Sequence, residues 1–146
     1  MGKADGFSFY CSPLGRARQT MEIIRMEMGL VPQDYQLDER LTERAYGEFE
    51  GVSIHELERD EPEVFARRSQ SHWNFKPRGG ESLQMTLERV TPFLDELDQP
   101  SIIVAHGAVG RTVRKHLLSL SDQEAGAYTF PQDKIFRFED GKESLI

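Results

Sequence analysis

An unbroken apolar run that ends in a histidine and a glycine, Ile102-Ile103-Val104-Ala105-His106-Gly107, constrains the fold of this chain most strongly. Four apolar residues in succession are typical of a strand that is buried on both faces of a parallel sheet. The apolar periodicity from Val109 to Leu118 predicts a helix immediately afterwards. His106 is therefore expected at the carboxyl end of a strand, where α/β folds bind their ligands. Taken alone, it fits a hydrogen-bonded structural role as well as a catalytic one.

Strands and helices alternate along the rest of the chain. The aromatic-rich segment Phe7 to Cys11 predicts a strand, and a helix is expected from Arg16 to Met28, with Gly29 as its C-cap. The pattern also predicts helices after Ser53, Ser82 and Ser121, a kink at Pro92, a loop from Ser69 to Gly80, a strand over Lys134–Phe138 and a hairpin at Asp140-Gly141. We therefore expect one layered α/β domain.

Composition and charge argue against several classes of protein. With 38% apolar and 29% charged residues, the 146-residue chain has the composition of a single folded domain. Its net charge of −7 argues against nonspecific binding to nucleic acid or to an anionic membrane. The single cysteine, Cys11, excludes an intrachain disulfide, and no apolar stretch approaches the length of a membrane span. We expect a cytoplasmic protein that captures anionic ligands locally.

Two further segments carry residues suited to phosphate chemistry. Ser12 to Thr20 follows a predicted strand and opens a predicted helix, so that backbone N–H groups, the Ser12 hydroxyl and the Arg16 guanidinium could converge on one anion. Glu43 lies in an irregular segment, where a partly buried carboxyl can act as a general acid. On the residues alone, the ordinary interpretations are favoured: Arg16 as a solvated helix residue and Glu43 as a surface carboxylate.

Four motifs, in this order, resemble those of the histidine phosphatase superfamily, which includes the cofactor-dependent phosphoglycerate mutases. They are Ser12-Pro-Leu-Gly-Arg-Ala-Arg-Gln-Thr20, Leu41-x-Glu43-x-x-x-Gly47-x-Phe49-Glu50-Gly51, Gly79-Gly-Glu-Ser82 and Val104-Ala-His106-Gly107. The resemblance covers nearly the whole chain. It implies a single three-layer αβα domain over residues 1–146, with a mostly parallel sheet.

The resemblance also implies phosphoryl transfer through a phosphohistidine. By position, Arg16 matches the arginine that binds phosphate oxygens, Glu43 the acid that protonates the leaving oxygen, and His106 the second histidine, which stabilises the transferring group. Ser12 and the Gly107 backbone are the expected substrate-binding groups. This chemistry needs no metal or other cofactor when arginine and histidine supply the positive charge. The expected partner is a small phosphorylated metabolite or another phosphate ester.

One part of the family pattern is missing. The superfamily opens with a strand that ends in Arg-His-Gly, whose histidine is the nucleophile, and no Arg-His-Gly occurs in these 146 residues. The resemblance therefore implies an N-terminally truncated domain that lacks its first strand and is inactive as it stands. That strand would neighbour Ile102 to Val104. An unpaired apolar edge is expected there, open to pairing with another copy of the chain.

Three functions are compatible with these motifs. A broad phosphomonoesterase is preferred, because the mutases of this family carry longer insertions after the region of Glu43. The alternatives are a catalytically dead phosphate-binding or interaction module, which keeps Arg16 and His106 as an anion site, and a phosphoglycerate mutase. Trp73 and Phe75 are expected to shape a pocket over the phosphate. These residues do not indicate whether the substrate is a sugar phosphate, a nucleotide or a phosphoprotein.

Overall fold

The computed structural model describes residues 6–146, and a three-stranded parallel sheet lies at its centre. The strands are β1 (Ser8–Cys11), β2 (Gln36–Leu37) and β3 (Ser101–Val104), in the order β2-β1-β3. Because β1 is flanked on both sides, the first predicted strand is the central one. Its predicted start at Phe7 is one residue too early.

Residues 6–146 contain six α-helices. They are α1 (Gly15–Glu27), α2 (Ile54–Asp60), α3 (Pro62–Gln70), α4 (Leu83–Asp95), α5 (Gly107–Leu118) and α6 (Asp122–Ala127). Short 3-10 turns cover Glu39–Leu41 and Gly47–Phe49, and an antiparallel hairpin of β4 (Phe136–Glu139) and β5 (Lys142–Leu145) closes the chain. Within residues 6–146, none of the helices is long and apolar enough to cross a membrane.

Local sequence signals account for most of these boundaries. The capping boxes predicted at Ser53 and Ser121 are both present, and each serine accepts from the N–H group three residues on. Pro62 begins α3, where its missing N–H costs nothing. Pro92 lies inside the last turn of α4, which ends at Asp95. The predicted loop from residue 69 to 80 is confirmed from Ser71 onwards, since α3 ends at Gln70.

Side-chain alternation along β1 produces the three layers. Phe9 and Cys11 pack on one face with Met21 of α1. Tyr10 points to the other face and meets Phe93 of α4 edge-to-face, with ring centroids 5.3 Å apart. Helices therefore cover the sheet on both sides, and the expected three-layer αβα arrangement is confirmed. A separate cluster joins Trp73, Leu83, Ala108 and Ala125, which ties the loop after α3 to α5 and α6.

The apolar strand β3 differs from its prediction in one respect. The sequence predicts burial on both faces, and both faces do pack against the core, Ile102 and Val104 on one side and Ile103 on the other. All four residues of the strand nevertheless remain partly exposed. Among residues 6–146, β3 pairs with β1 alone. The unpaired apolar edge implied by the resemblance is therefore present in the described part of the chain.

Candidate active site

The carboxyl ends of β1 and β3 bring Ser12 and His106 together. The two strands run parallel with Cys11 opposite Val104, so the residues that follow emerge at the same edge of the sheet. The Ser12 N–H donates to the Val104 carbonyl at 3.0 Å. Ser12 is fully buried, and its hydroxyl lies 2.8 Å from His106 Nε2. His106 is the N-cap of α5, as the apolar run predicted.

The surroundings of His106 favour an uncharged imidazole at neutral pH. Burial lowers its pKa below the ordinary value, the nearby Glu43 carboxylate opposes this, and the charges of Arg16 and Arg89 lower it further. A neutral ring has one donor and one acceptor nitrogen, and the Ser12 hydroxyl can pair with either. A bound phosphate would favour the protonated ring, because an opposite charge nearby raises the pKa of a histidine.

The carboxylate of Glu43 lies at the positive end of α5. Its Oε1 accepts from the Arg44 N–H at 2.9 Å and from the Ala108 N–H at 3.3 Å. Ala108 belongs to the first turn of α5, where the helix dipole attracts negative charge. A carboxyl group is thus held in a half-buried position close to His106, where it could exchange a proton with a bound ester.

Arg89 of α4 and Glu81 hold the backbone of residues 40–45, which carry Glu43 and which we call the acidic loop. The Arg89 guanidinium donates to the carbonyls of Arg40 and Thr42 and to the Glu81 carboxylate. Glu81 accepts from the Ala45 N–H at 3.2 Å through Oε2. The Glu81 N–H donates in turn to the Ala45 carbonyl at 2.8 Å. The loop position is therefore set by one continuous hydrogen-bonded group.

Arg16 and Gly107 lie in the first turns of the two helices that follow β1 and β3. Arg16 is exposed, and α1 begins one residue before it. The Leu14 N–H donates to Ser12 Oγ at 3.3 Å, which shapes the turn into α1. The five residues that the sequence singled out all lie at this edge of the sheet: Ser12, Arg16, Glu43, His106 and Gly107.

Beside them lies a cluster of arginines that the sequence analysis did not identify. Arg44 is only 5% exposed, and its Nε and Nη1 atoms have no hydrogen-bond partner within residues 6–146. Its guanidinium carbon lies 4.7 Å from the centre of the Tyr46 ring. Arg68 of α3 and Arg111 of α5 are close enough for the charge of Arg44 to act on both. We call Arg44, Arg68 and Arg111 the arginine cluster.

The positive charges of the arginine cluster act on one another. Burial lowers the pKa of Arg68, and repulsion from Arg44 and Arg111 adds to this. Burial also lowers the pKa of Arg111, where Arg44 acts in the same direction and Glu43 opposes it. The interaction with Glu43 links the cluster to the histidine site. An anion placed between these guanidinium groups would reduce their repulsion and would accept hydrogen bonds from the unpaired Arg44 donors.

A cavity of about 280 Å³ adjoins the arginine cluster. Arg44 and Arg68 line its polar side, and Tyr46 and Phe75 are among its aromatic residues. Phe75 lines this cavity, but Ser12, Arg16 and His106 do not, so the pocket expected over the phosphate stays a prediction. Trp73 does not line the cavity and is instead buried, at 2% exposure, in the separate cluster with Leu83, Ala108 and Ala125.

Comparison with known proteins identifies the family. The model of the histidine phosphatase superfamily (branch 1) matches residues 3–143. A 2,3-bisphosphoglycerate-dependent phosphoglycerate mutase of Parvibaculum lavamentivorans is 32% identical over 132 residues, which are 84% of this chain and 63% of that protein. The chain thus spans somewhat less than two thirds of the length of this relative.

Solved structures agree with this result. A mycobacterial glucosyl-3-phosphoglycerate phosphatase superposes with a TM-score of 0.70 at 28% identity, over 86% of this chain and 64% of that one. The alpha-ribazole phosphatase of Shigella flexneri gives a TM-score of 0.72 at 18% identity, over 99% and 73%, and this likeness concerns the fold alone. The chain belongs to the histidine phosphatase superfamily, branch 1.

Proposed function

We propose that this chain binds a phosphate ester at the carboxyl ends of β1 and β3 and serves phosphoryl transfer or hydrolysis through a phosphohistidine. The observation that carries the proposal is the meeting of His106, Ser12 and Glu43 at the N-terminus of α5. A histidine, a buried hydroxyl and a carboxyl at a helix N-terminus suit a phosphoryl group and the oxygen that leaves it.

Each residue has a distinct role in this proposal. Arg16 binds the non-bridging oxygens of the phosphoryl group, and the Gly107 N–H supports them from the start of α5. His106 donates to the same group, and Ser12 fixes the orientation of its ring. As the bond from phosphorus to the ester oxygen breaks, Glu43 in its protonated form passes its proton to that oxygen. The phosphoryl group passes to a nucleophilic histidine and from there to water.

The nucleophilic histidine is the part that these residues do not supply. His55 lies in α2, His116 in α5 and His72 after α3, and none of the three ends a strand. The 146 residues are therefore proposed to bind phosphate esters without turning them over. This overlaps with the alternative of a catalytically dead phosphate-binding module, and the two differ in whether an added Arg-His-Gly strand produces hydrolysis.

The arginine cluster supports a substrate that carries a second negative charge. The unpaired donors of Arg44 and the mutual repulsion of Arg68 and Arg111 favour an anion beside the phosphoryl site. Two relatives are named for phosphoglycerate compounds, in which a phosphate ester is accompanied by a carboxylate. Hydrolysis is preferred over the mutase reaction because the mycobacterial relative of 28% identity is a phosphatase.

The test combines binding and turnover. Calorimetric titration with inorganic phosphate at low salt is expected to give saturable binding that His106→Ala weakens at least about tenfold. His55→Ala, at an exposed position of α2, is the matched control and should bind normally. The chain is expected not to hydrolyse 4-nitrophenyl phosphate. Fusing the opening segment of the Parvibaculum relative upstream should produce hydrolysis.

Two outcomes would contradict the proposal. If the chain does not bind phosphate at low salt, the proposed anion site does not exist. Hydrolysis by the unextended chain that His106→Ala abolishes would instead identify His106 as the nucleophile. Binding without any hydrolysis in the fused protein would favour the phosphate-binding module.

A further inference from the structure

His72 lies outside the proposed phosphoryl site, in the segment after α3, yet it contacts the arginine cluster directly. Its Nε2 is 3.0 Å from an Nη atom of Arg68. A guanidinium group only donates hydrogen bonds, so the ring nitrogen must be the acceptor. His72 is therefore neutral in this arrangement, with its remaining proton on Nδ1.

The other side of the ring is fixed against α6. A methyl group at Gly126 would lie 3.4 Å from His72 Nδ1 and 3.8 Å from the neighbouring Trp73 ring, which is ordinary van der Waals contact, so α6 packs beside the imidazole. The Gly126 backbone favours a proton on the imidazole, since it acts to raise the pKa of His72. The contact with Arg68 uses the Nε2 lone pair, so the ring proton lies on Nδ1. Both the tautomer and the ring orientation are thus determined.

The neutral state is secure across the physiological range. Burial lowers the pKa of His72 to about 4, with further lowering by the charges of Arg68, Arg44 and Arg111, whereas the Gly126 backbone acts in the opposite direction. A protonated ring could not accept from Arg68 and would add a fourth positive charge to the cluster. The low pKa therefore preserves the acceptor.

An acceptor at this position matters because Arg68 lies among like charges. Repulsion from Arg44 and Arg111 favours rotation of its flexible side chain towards water. The contact with His72 opposes this rotation without neutralising the guanidinium, as a carboxylate partner would. Arg68 then remains fully charged on the wall of the cavity that it shares with Arg44.

We propose that His72 is a positioning residue: it holds Arg68 beside Arg44 and Arg111, so that the three guanidinium groups bind the second negative group of a phosphate ester substrate. The inference rests on the proposed function, since it assumes a phosphoryl group at His106. It adds that selectivity for doubly anionic esters depends on an uncharged histidine outside the phosphoryl site.

The test compares two ligands that share the phosphate and differ in the second charge. The full chain is titrated calorimetrically with 3-phosphoglycerate, which has a carboxylate, and with glycerol 3-phosphate, which has none. His72→Leu removes the acceptor and is expected to weaken 3-phosphoglycerate binding about tenfold, with glycerol 3-phosphate changed less than about twofold. His72→Gln, which keeps an acceptor of similar reach, should recover most of the affinity, and His55→Leu is the control for loss of an exposed histidine.

A double-mutant cycle separates positioning from folding. If His72 acts through Arg68, Arg68→Met gives the same selective loss, and adding His72→Leu to it causes little further change. Should His72→Leu fail to fold, His72→Asn, whose amide is too short to reach Arg68, takes its place in the cycle. Thermal unfolding identifies any variant that is merely unstable.

Each outcome has one interpretation. An equal loss for both ligands, or no loss for either, overturns the positioning role while the phosphate site stands. Equal affinity of the two ligands for the unaltered chain overturns the second-anion site and with it the inference. Absence of binding by both ligands refutes the proposed function itself, and the inference falls with it.

Discussion

Replacing Arg89 with methionine removes the group that holds the acidic loop. Methionine keeps much of the packing of the arginine stem but removes the hydrogen bonds to the carbonyls of Arg40 and Thr42 and to the carboxylate of Glu81. Both charged side chains are 23% exposed, so we take about 1 kcal/mol for each of the three lost interactions, below the usual value for buried charged groups. The free energy of unfolding should fall by about 3 kcal/mol.

Urea and thermal unfolding measure this effect. A loss of about 3 kcal/mol corresponds to a fall of roughly 10 °C in Tm for a domain of this size. Arg59→Met is the matched control, because Arg59 also pairs with a carboxylate, Asp60, but both are largely exposed. Its unfolding midpoint should not move measurably. Equal behaviour of the two variants would refute the reasoning that the Arg89 contacts hold the loop.

The pH dependence supplies a second check on the same variant. Burial would raise the pKa of Glu81, but hydrogen bonds from Arg89 and Ala45 and the nearby charges hold it below its ordinary value. A carboxylate with a lowered folded-state pKa stabilises the fold above its ordinary pKa and loses this effect as the pH falls through the lowered one. The stability difference between the native chain and Arg89→Met should therefore shrink below about pH 4.

Three further results are expected. Gly47→Ala should lower the free energy of unfolding by about 3 kcal/mol, because φ is +57° and the new methyl group would overlap the Arg78 carbonyl. Gly51→Ala is the comparison: φ is +75° but the space is open, so thermal unfolding should show a loss of about 1 kcal/mol. Glu43→Gln should lower the pKa of His106 in an NMR titration, since the carboxylate raises it, and an unchanged value would contradict the geometry. The unpaired edge of β3 should make the chain associate as its concentration rises, which light scattering would detect. A molar mass that stays at the monomer value at all concentrations would contradict this prediction.

Local patterns in the sequence account for much of the fold. The serines that cap α2 and α6 and the apolar run of β3 determine these elements through contacts within a few residues, so their positions could be predicted. The partial exposure of β3 could not be predicted from its own residues, because it depends on how many strands lie beside it. The composition of a strand indicates whether its side chains can be buried, and the number of neighbouring strands and helices decides how far they are buried.

The candidate site divides in the same way. Ser12 and His106 follow two apolar strands, and parallel pairing makes their meeting predictable once the sheet is assumed. Arg44, Arg68 and Arg111 come from a loop and two helices that are distant in sequence, and no spacing rule connects them. Buried guanidinium atoms without partners become visible only in three dimensions.

The central claim is that an anion binds beside His106, and an NMR titration of its ring tests this most directly. With saturating inorganic phosphate, the ring resonances of His106 should shift and its pKa should rise, because the bound anion stabilises the protonated imidazole against the burial and arginine charges that lower the pKa in the free chain. Ring resonances and a pKa that do not change at any phosphate concentration would contradict the account.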